Sequence, residues 1–175
     1  MATRLEAPQR ERDILEARAR ELARPLGKPL ESNALEVITF ALADETYAIE
    51  TRYVMAAFRL TELCPIPGAQ RPIFGVAAWR GELLTILDLR PLFGASVVAL
   101  NDLARVLVLG EKRAVCGVLA DTVRDLVTIP ESQLVETVHA VTANRALFRG
   151  ITRDAMLVLN GKTLLESYVG RNRGG

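Results

Sequence analysis

The chain has 175 residues, half of them hydrophobic and a quarter charged, with a formal net charge of +1. That is enough for one domain of ordinary size, or for two small ones packed together. It argues against a disordered chain, and the absent basic excess argues against a nucleic acid or a membrane surface as partner.

Cys64 and Cys116 are the only cysteines, and neither belongs to a CxxC pair. They read as two buried thiols rather than a disulfide framework or a zinc site, and no metal or cofactor is expected. The amino terminus lacks an apolar signal core and no later run reaches membrane-spanning length. The expectation is a cytoplasmic protein.

Residues 9–24, QRERDILEARARELAR, predict an amphipathic helix rich in strong helix formers. Leu15, Ala19, Leu22, Ala23 and Leu26 fall on one face, and Glu16 and Arg20 form an i,i+4 pair. Pro25, Gly27 and Pro29 end the helix and begin a linker to about residue 33. Three fates are open to the narrow stripe: docking on the domain, self-association with another chain, or exposure.

From Leu35 the period becomes two. Ile38, Phe40 and Leu42 share a strand face, residues 43–46 turn, and Tyr47-Ala48-Ile49 begins the return strand. A second hairpin runs from Val106 to Leu119 around Gly110-Glu111-Lys112-Arg113. Ala48 and Val54 are as far apart as Gly117 and Val123, so one strand-turn-strand-short-helix unit is predicted to occur twice.

Between the hairpins, a Cys64-Pro65-Ile66-Pro67-Gly68 breaker precedes the stretch GVAAWRGELLTILDLRPLFG, residues 75–94. Arg80 and Arg90 stand there in apolar surroundings, where an unpaired charge is costly to shield from water. Glu82 to Leu87 predicts a strand covered on both faces. Asp88 is placed to accept from the Arg90 backbone N–H at the start of a short helix, with Arg90 as a surface brace. Gly94 suits a left-handed stop. After Pro130 the chain loosens to about Arg145. Phe148 to Thr152 and Ala155 to Leu159 then predict the last strands, Gly161 to Tyr168 a terminal helix, and residues 169–175 a frayed tail.

The order of Phe40, Tyr47-Ala48-Ile49, Val54, the proline-rich break, Gly75-Val76, Arg80-Gly81, Asp88-Leu89-Arg90, Phe93-Gly94, Gly117-Val118, Asp121, Val123, Phe148 to Gly150 and Met156 to Leu159 resembles the CheW-like domain family. The resemblance spans about Leu35 to Tyr168. It implies a mainly β fold of two packed five-stranded SH3-like β-barrels with short helices, here following the amino-terminal amphipathic helix. Residues 1–33 would be helix and linker, and residues 34–168 two intertwined subdomains with a boundary near 94–104.

The family implies a non-enzymatic adaptor that couples chemoreceptors to the histidine kinase CheA. In it, the receptor's cytoplasmic hairpin tip lies between the barrels, and barrel ends bind the kinase's CheW-like regulatory domain. The matching positions put Val54, Gly75, Arg80 and Val123 at the receptor-binding face, with Gly81, Asp88, Arg90 and Gly94 as structural motif residues. The alternative is a stand-alone module that binds a kinase regulatory domain without a receptor, in a non-flagellar pathway.

Four positions depart from the family pattern. Ala78-Trp79-Arg80-Gly81 replaces Asn-Leu-Arg-Gly, Thr85 replaces a proline, and Ala56 replaces a glutamate able to pair with the turn arginine. Arg80 must then find Glu50, Glu62 or Asp88, or lie solvated beside Trp79. Each residue also has a plainer reading. Val54 and Val123 look like core residues in isolation, Arg80 could simply anchor its turn, Trp79 could pack inside, and His139 stands alone in a polar stretch. Asp121 and Asp125, at i,i+4, read as solvated rather than as an acid-base pair. An enzyme is disfavoured: GxGxxG, GxxxxGK, GxSxG and HExxH are all missing, and there is one histidine.

Because the resemblance begins after the first helix, deleting residues 1–30 is expected to leave cooperative thermal unfolding intact. A non-cooperative melt of the truncated chain would place that segment in the core.

Overall fold

A computed structural model describes residues 33–96, 104–135 and 144–169. The helix expected at 9–24, His139 and residues 170–175 of the expected tail lie outside them, while Val169 belongs to the last helix.

The first hairpin is β1 (Ala34–Leu42) and β2 (Glu45–Glu50). A 3-10 turn at Thr51–Tyr53 leads into β3 (Val54–Arg59), followed by β4 (Ile73–Trp79), β5 (Glu82–Leu87) and the single turn α1 (Arg90–Phe93). The second half repeats this order. β6 (Arg105–Gly110) and β7 (Ala114–Ala120) form a hairpin, then come β8 (Thr122–Pro130), β9 (Phe148–Ile151), β10 (Leu157–Leu159) and α2 (Gly161–Val169).

These strands build two five-stranded sheets, ordered β8-β1-β2-β10-β9 and β3-β6-β7-β5-β4. Each half therefore donates its hairpin to one sheet and its next three strands to the other. The registers repeat with the same offset. Phe40 faces Tyr47 as Leu109 faces Cys116, and Thr39 faces Ala48 as Val108 faces Gly117. β10 runs parallel to β2 with Val158 opposite Ala48, and β5 runs parallel to β7 with Ile86 opposite Gly117. Within each sheet a single bridge joins the segment after one edge strand to the opposite edge strand, Val135 to Ile151 of β9 in the first and Cys64 to Val76 of β4 in the second.

The repeat expected from the spacing is thus present, with a longer unit of hairpin, three strands and helix. The turn of the first hairpin is tighter than expected, since only Ala43 and Asp44 separate the strands.

Apolar residues gather in three clusters. Leu35, Val37, Ala48, Ile129 and Val158 fill the first sheet's own core. Ala77, Leu84, Ile86, Val106, Val108 and Leu119 fill the second's. The largest cluster lies between the sheets and includes Phe40, Leu42, Tyr47, Ile49, Leu107, Leu109, Cys116 and Val118. The hairpin strands are therefore buried on both faces, which explains their near-continuous apolar runs. Phe40, Tyr47, Phe93 and Phe148 form a chain of rings at centroid distances of 5.9, 5.2 and 4.8 Å, tying β1, β2, α1 and β9 together.

β5 departs from the expected two-sided burial. Only Ile86 and Leu87 pair with β7. Toward the hairpin tip no described strand other than β4 pairs with β5, and Leu83 is 78% exposed.

Cys116 lies in the inter-sheet cluster, and burial pushes its thiol from 9.0 up to about 12. The fold thus favours the neutral thiol. This contribution is complete below the ordinary thiol range and is lost as pH climbs toward 12. Cys64 is exposed rather than buried as expected, because it sits on the irregular link between β3 and β4. Iodoacetamide at pH 8 is expected to modify the native protein once, at Cys64, and Cys116 only after denaturation. Double labelling of the native protein would contradict this burial.

Candidate functional site

The inter-sheet region carries the strongest electrostatic constraint. Arg90 opens α1 with 1% of its surface exposed, and Asp88 has 4%. Arg90 Nε donates to Asp88 Oδ1 at 2.9 Å, and Nη2 donates to Oδ2 at 3.0 Å. The Arg90 backbone N–H donates to the same Oδ1 at 3.0 Å. This bidentate pair, outweighing the opposing effect of burial, raises the arginine's pKa above its ordinary value. Asp121 adds a second carboxylate, its Oδ1 3.8 Å from Arg90 Nη1. Arg90 is therefore not the surface brace expected from sequence. The short helix points its guanidinium inward, where Asp88 compensates the charge. Gly94 ends the helix at φ +71°, its N–H donating to the Arg90 carbonyl.

Two crossovers carry the chain between the sheets. Thr51–Tyr53 leads from β2 into β3, and Asp121 leads from β7 into β8. Val54 opens β3 and Val123 is the second residue of β8, at equivalent positions of the repeat. Val54 pairs with Leu109 and Val123 with Phe40, and both pack half-buried on the inter-sheet cluster.

Gly75 and Arg80 lie on the β4–β5 hairpin instead. A Cβ on Gly75 would lie 2.6 Å from the Cys64 carbonyl oxygen, so the approach of a neighbouring strand itself demands glycine there. Gly150 holds the equivalent place in the first sheet, where a Cβ would lie 3.0 Å from the Val135 carbonyl oxygen.

Arg80 and Gly81 form the two-residue turn, at φ +51° and +83°. Positive φ at both positions is what a type I′ hairpin turn demands. Arg80 is exposed, its guanidinium 4.7 Å from the centroid of the half-buried Trp79 ring. The acceptors considered for it are engaged elsewhere or unpaired with it. Asp88 holds Arg90, and Glu50 accepts from Arg52 at 2.7 Å and Arg149 at 3.0 Å. Ala56 packs into the second sheet's core.

Sequence reasoning missed the Glu50 cluster and the reach of Asp121. Arg149 joins Glu50 to Glu131, fastening β9 to the end of β2 and to the segment after β8. Asp121 Oδ2 accepts from the Ala43 N–H at 2.6 Å. With Asp125 on a strand, the i,i+4 relation has no helical meaning. The available signal was the isolated Asp121 two residues before Val123 in the repeat.

A cavity of about 450 Å³ lies between the β6–β7 loop and α2, lined by Val115 and Leu165 and by charges of both signs, Glu111, Lys112, Arg113, Lys162 and Glu166. Among the described residues no cluster of three His, Cys, Asp or Glu side chains could hold a metal, and no helix is long and apolar enough to cross a membrane.

Two sheets that exchange hairpins, with their crossovers on a shared core, define a duplicated β-rich domain. The family model for the CheW-like domain matches residues 36–169. The chain belongs to the CheW-like domain family. It is 30% identical to protein FrzA of Myxococcus xanthus over 137 residues, covering 75% of this chain and 86% of that one. It is 26% identical to chemotaxis protein CheW of Rhizobium meliloti over 125 residues, covering 71% and 81%. The crystal structure of scaffolding protein TtCheW from Thermoanaerobacter tengcongensis shares the fold at a TM-score of 0.64 and 21% identity, over 72% of this chain and 88% of that one.

Removing one member of the buried pair strands the other charge. Asp88→Ala is expected to cost roughly 3–5 kcal/mol in urea unfolding, and the double replacement Asp88→Leu/Arg90→Leu is expected to cost less. Equal losses in single and double variants would show that the pair does not act as a unit.

Proposed function

We propose that this chain is a non-enzymatic adaptor that couples the cytoplasmic tips of chemoreceptors to the histidine kinase CheA. The observation that carries the reading is the family match, which runs through nearly all of the described sheets. The names of the relatives, chemotaxis protein CheW and scaffolding protein, agree with it.

In this reading each sheet is an SH3-like barrel, and the bridges at Cys64–Val76 and Val135–Ile151 support its closure. Val54 and Val123 are the apolar contacts for a helical receptor tip, and Arg80 supplies a charge at the margin. An arginine stacked on Trp79, with no carboxylate partner among the described residues, is prepared to meet a carboxylate on the partner. Gly75 contributes by letting β4 approach the Cys64 segment. The kinase is held through its regulatory domain, and the protein works in the cytoplasm at receptor arrays beneath the inner membrane. Coupling needs no covalent chemistry. Partners that favour different conformations bias each other through shared contacts.

Calorimetric titration against a receptor-tip hairpin and a kinase regulatory domain from the same genome tests the proposal. Both are expected to bind. Arg80→Ala, checked by thermal melt, is expected to weaken the receptor tip by roughly tenfold and leave the kinase domain unaffected. Binding to the kinase domain alone would favour the stand-alone module, and binding to neither would refute the adaptor.

A further inference from the structure

We propose that Asp121 is a positioning residue for the receptor-contact face, setting the place of Val123 by clasping the crossover that precedes β8. The inference rests on the adaptor reading above.

Asp121 is anchored to three separate elements. Its backbone N–H donates to the Ala41 carbonyl at 3.0 Å, on β1. One carboxylate oxygen accepts from the Ala43 N–H at 2.6 Å, in the β1–β2 turn. The other faces Arg90 at 3.8 Å, at the start of α1. One side chain thus joins the tip of the first sheet's hairpin to the helix that follows the second sheet's β5. Ala43 has φ +53°, a left-handed conformation that a residue other than glycine adopts at a cost, and Asp121 accepts from its N–H.

The charge of Asp121 is not what makes Arg90 tolerable inside the protein. Asp88 already meets Arg90 with two side-chain hydrogen bonds. The Asp121 side chain is 23% exposed, against 5% for Asp88, so it sits at the margin of the buried pair. What it fixes is direction. Val123 lies two residues further on, opposite Phe40, and packs on the inter-sheet cluster. Loss of the clasp frees the crossover to shift against β1, and Val123 shifts with it.

The equivalent position in the first half is Arg52, before Val54. Its guanidinium pairs with Glu50 at 2.7 Å and lies 4.8 Å from the centroid of the Tyr53 ring. A charged side chain therefore stands just before the valine in both halves, with opposite signs, but Arg52 is largely exposed and meets only residues of its own segment, so the clasp to other elements belongs to Asp121 alone.

The test is a double-mutant cycle on the full chain with Asp121→Ala and Val123→Ala, titrated against the receptor-tip hairpin and the kinase regulatory domain. Asp121→Asn is run beside it, because the amide oxygen still accepts from Ala43. Asp121→Ala is expected to weaken the receptor tip by about tenfold. Kinase-domain affinity should stay within about twofold, and the Val123→Ala loss should shrink when Asp121 is already gone. Asp121→Asn should recover most of the binding, and amide exchange at Ala43 should accelerate in the alanine variant only.

Equal losses toward both partners, together with a lowered melting temperature, would reduce the clasp to a stability role and overturn the inference. Unchanged receptor binding in both Asp121 variants would overturn it while leaving the adaptor reading intact. If Val54→Ala and Val123→Ala also bind the receptor tip like the parent, the contact face itself is misassigned and both readings fall.

Discussion

The structure turns on a guanidinium placed where two sheets meet. A buried charge must be met by fixed partners, and Arg90 finds them in residues that come from different parts of the chain. Asp88 follows β5 and supplies the bidentate pair, while Asp121 belongs to the link between the sheets. This requirement fixes where α1 starts relative to the inter-sheet core. Phe93 is carried on the same helical turn and lies against Tyr47 and Phe148 of the other sheet. Ionic pairing and aromatic packing thus select the same arrangement.

The second organising feature is exchange. Each sheet takes its hairpin from one half of the chain and three strands from the other. The exchange forces two crossovers through the middle, and the face proposed for the receptor sits where they emerge. It also explains why Gly75 and Gly150 occupy equivalent places, since in both sheets a strand passes close to the segment that bridges it. The crossovers share geometry but not chemistry. Asp121 stands at one and the exposed Arg52 at the other, so a repeated backbone presents two different surfaces.

Much of the fold was readable in the sequence. The equal spacing of Ala48 to Val54 and Gly117 to Val123 announced the duplication, and period-two patterning with turn residues placed the strands. The exchange was not readable from spacing, because hairpin strands buried on both faces look alike whichever sheet they join. Arg90 was misplaced on the surface for a related reason. A single helical turn has no periodicity from which to judge its inward side. The environment of Arg80 was half visible, with solvation beside Trp79 among the alternatives, but the engagement of Glu50 with Arg149 depends on β9, a hundred residues away in sequence. Long-range pairings of this kind leave no local pattern.

Exchanged hairpins also constrain how the chain can be made. The first hairpin is complete when Glu50 has been synthesised, yet its sheet cannot close until β8, β9 and β10 exist. Throughout that interval Phe40, Leu42 and Ile49 lack their final cover and the hairpin edges lack neighbours, a state prone to mispairing. The second sheet is assembled from a continuous stretch and gives the waiting hairpin an early surface to lean on. Order of synthesis thus completes the strands of the second sheet before the first can close.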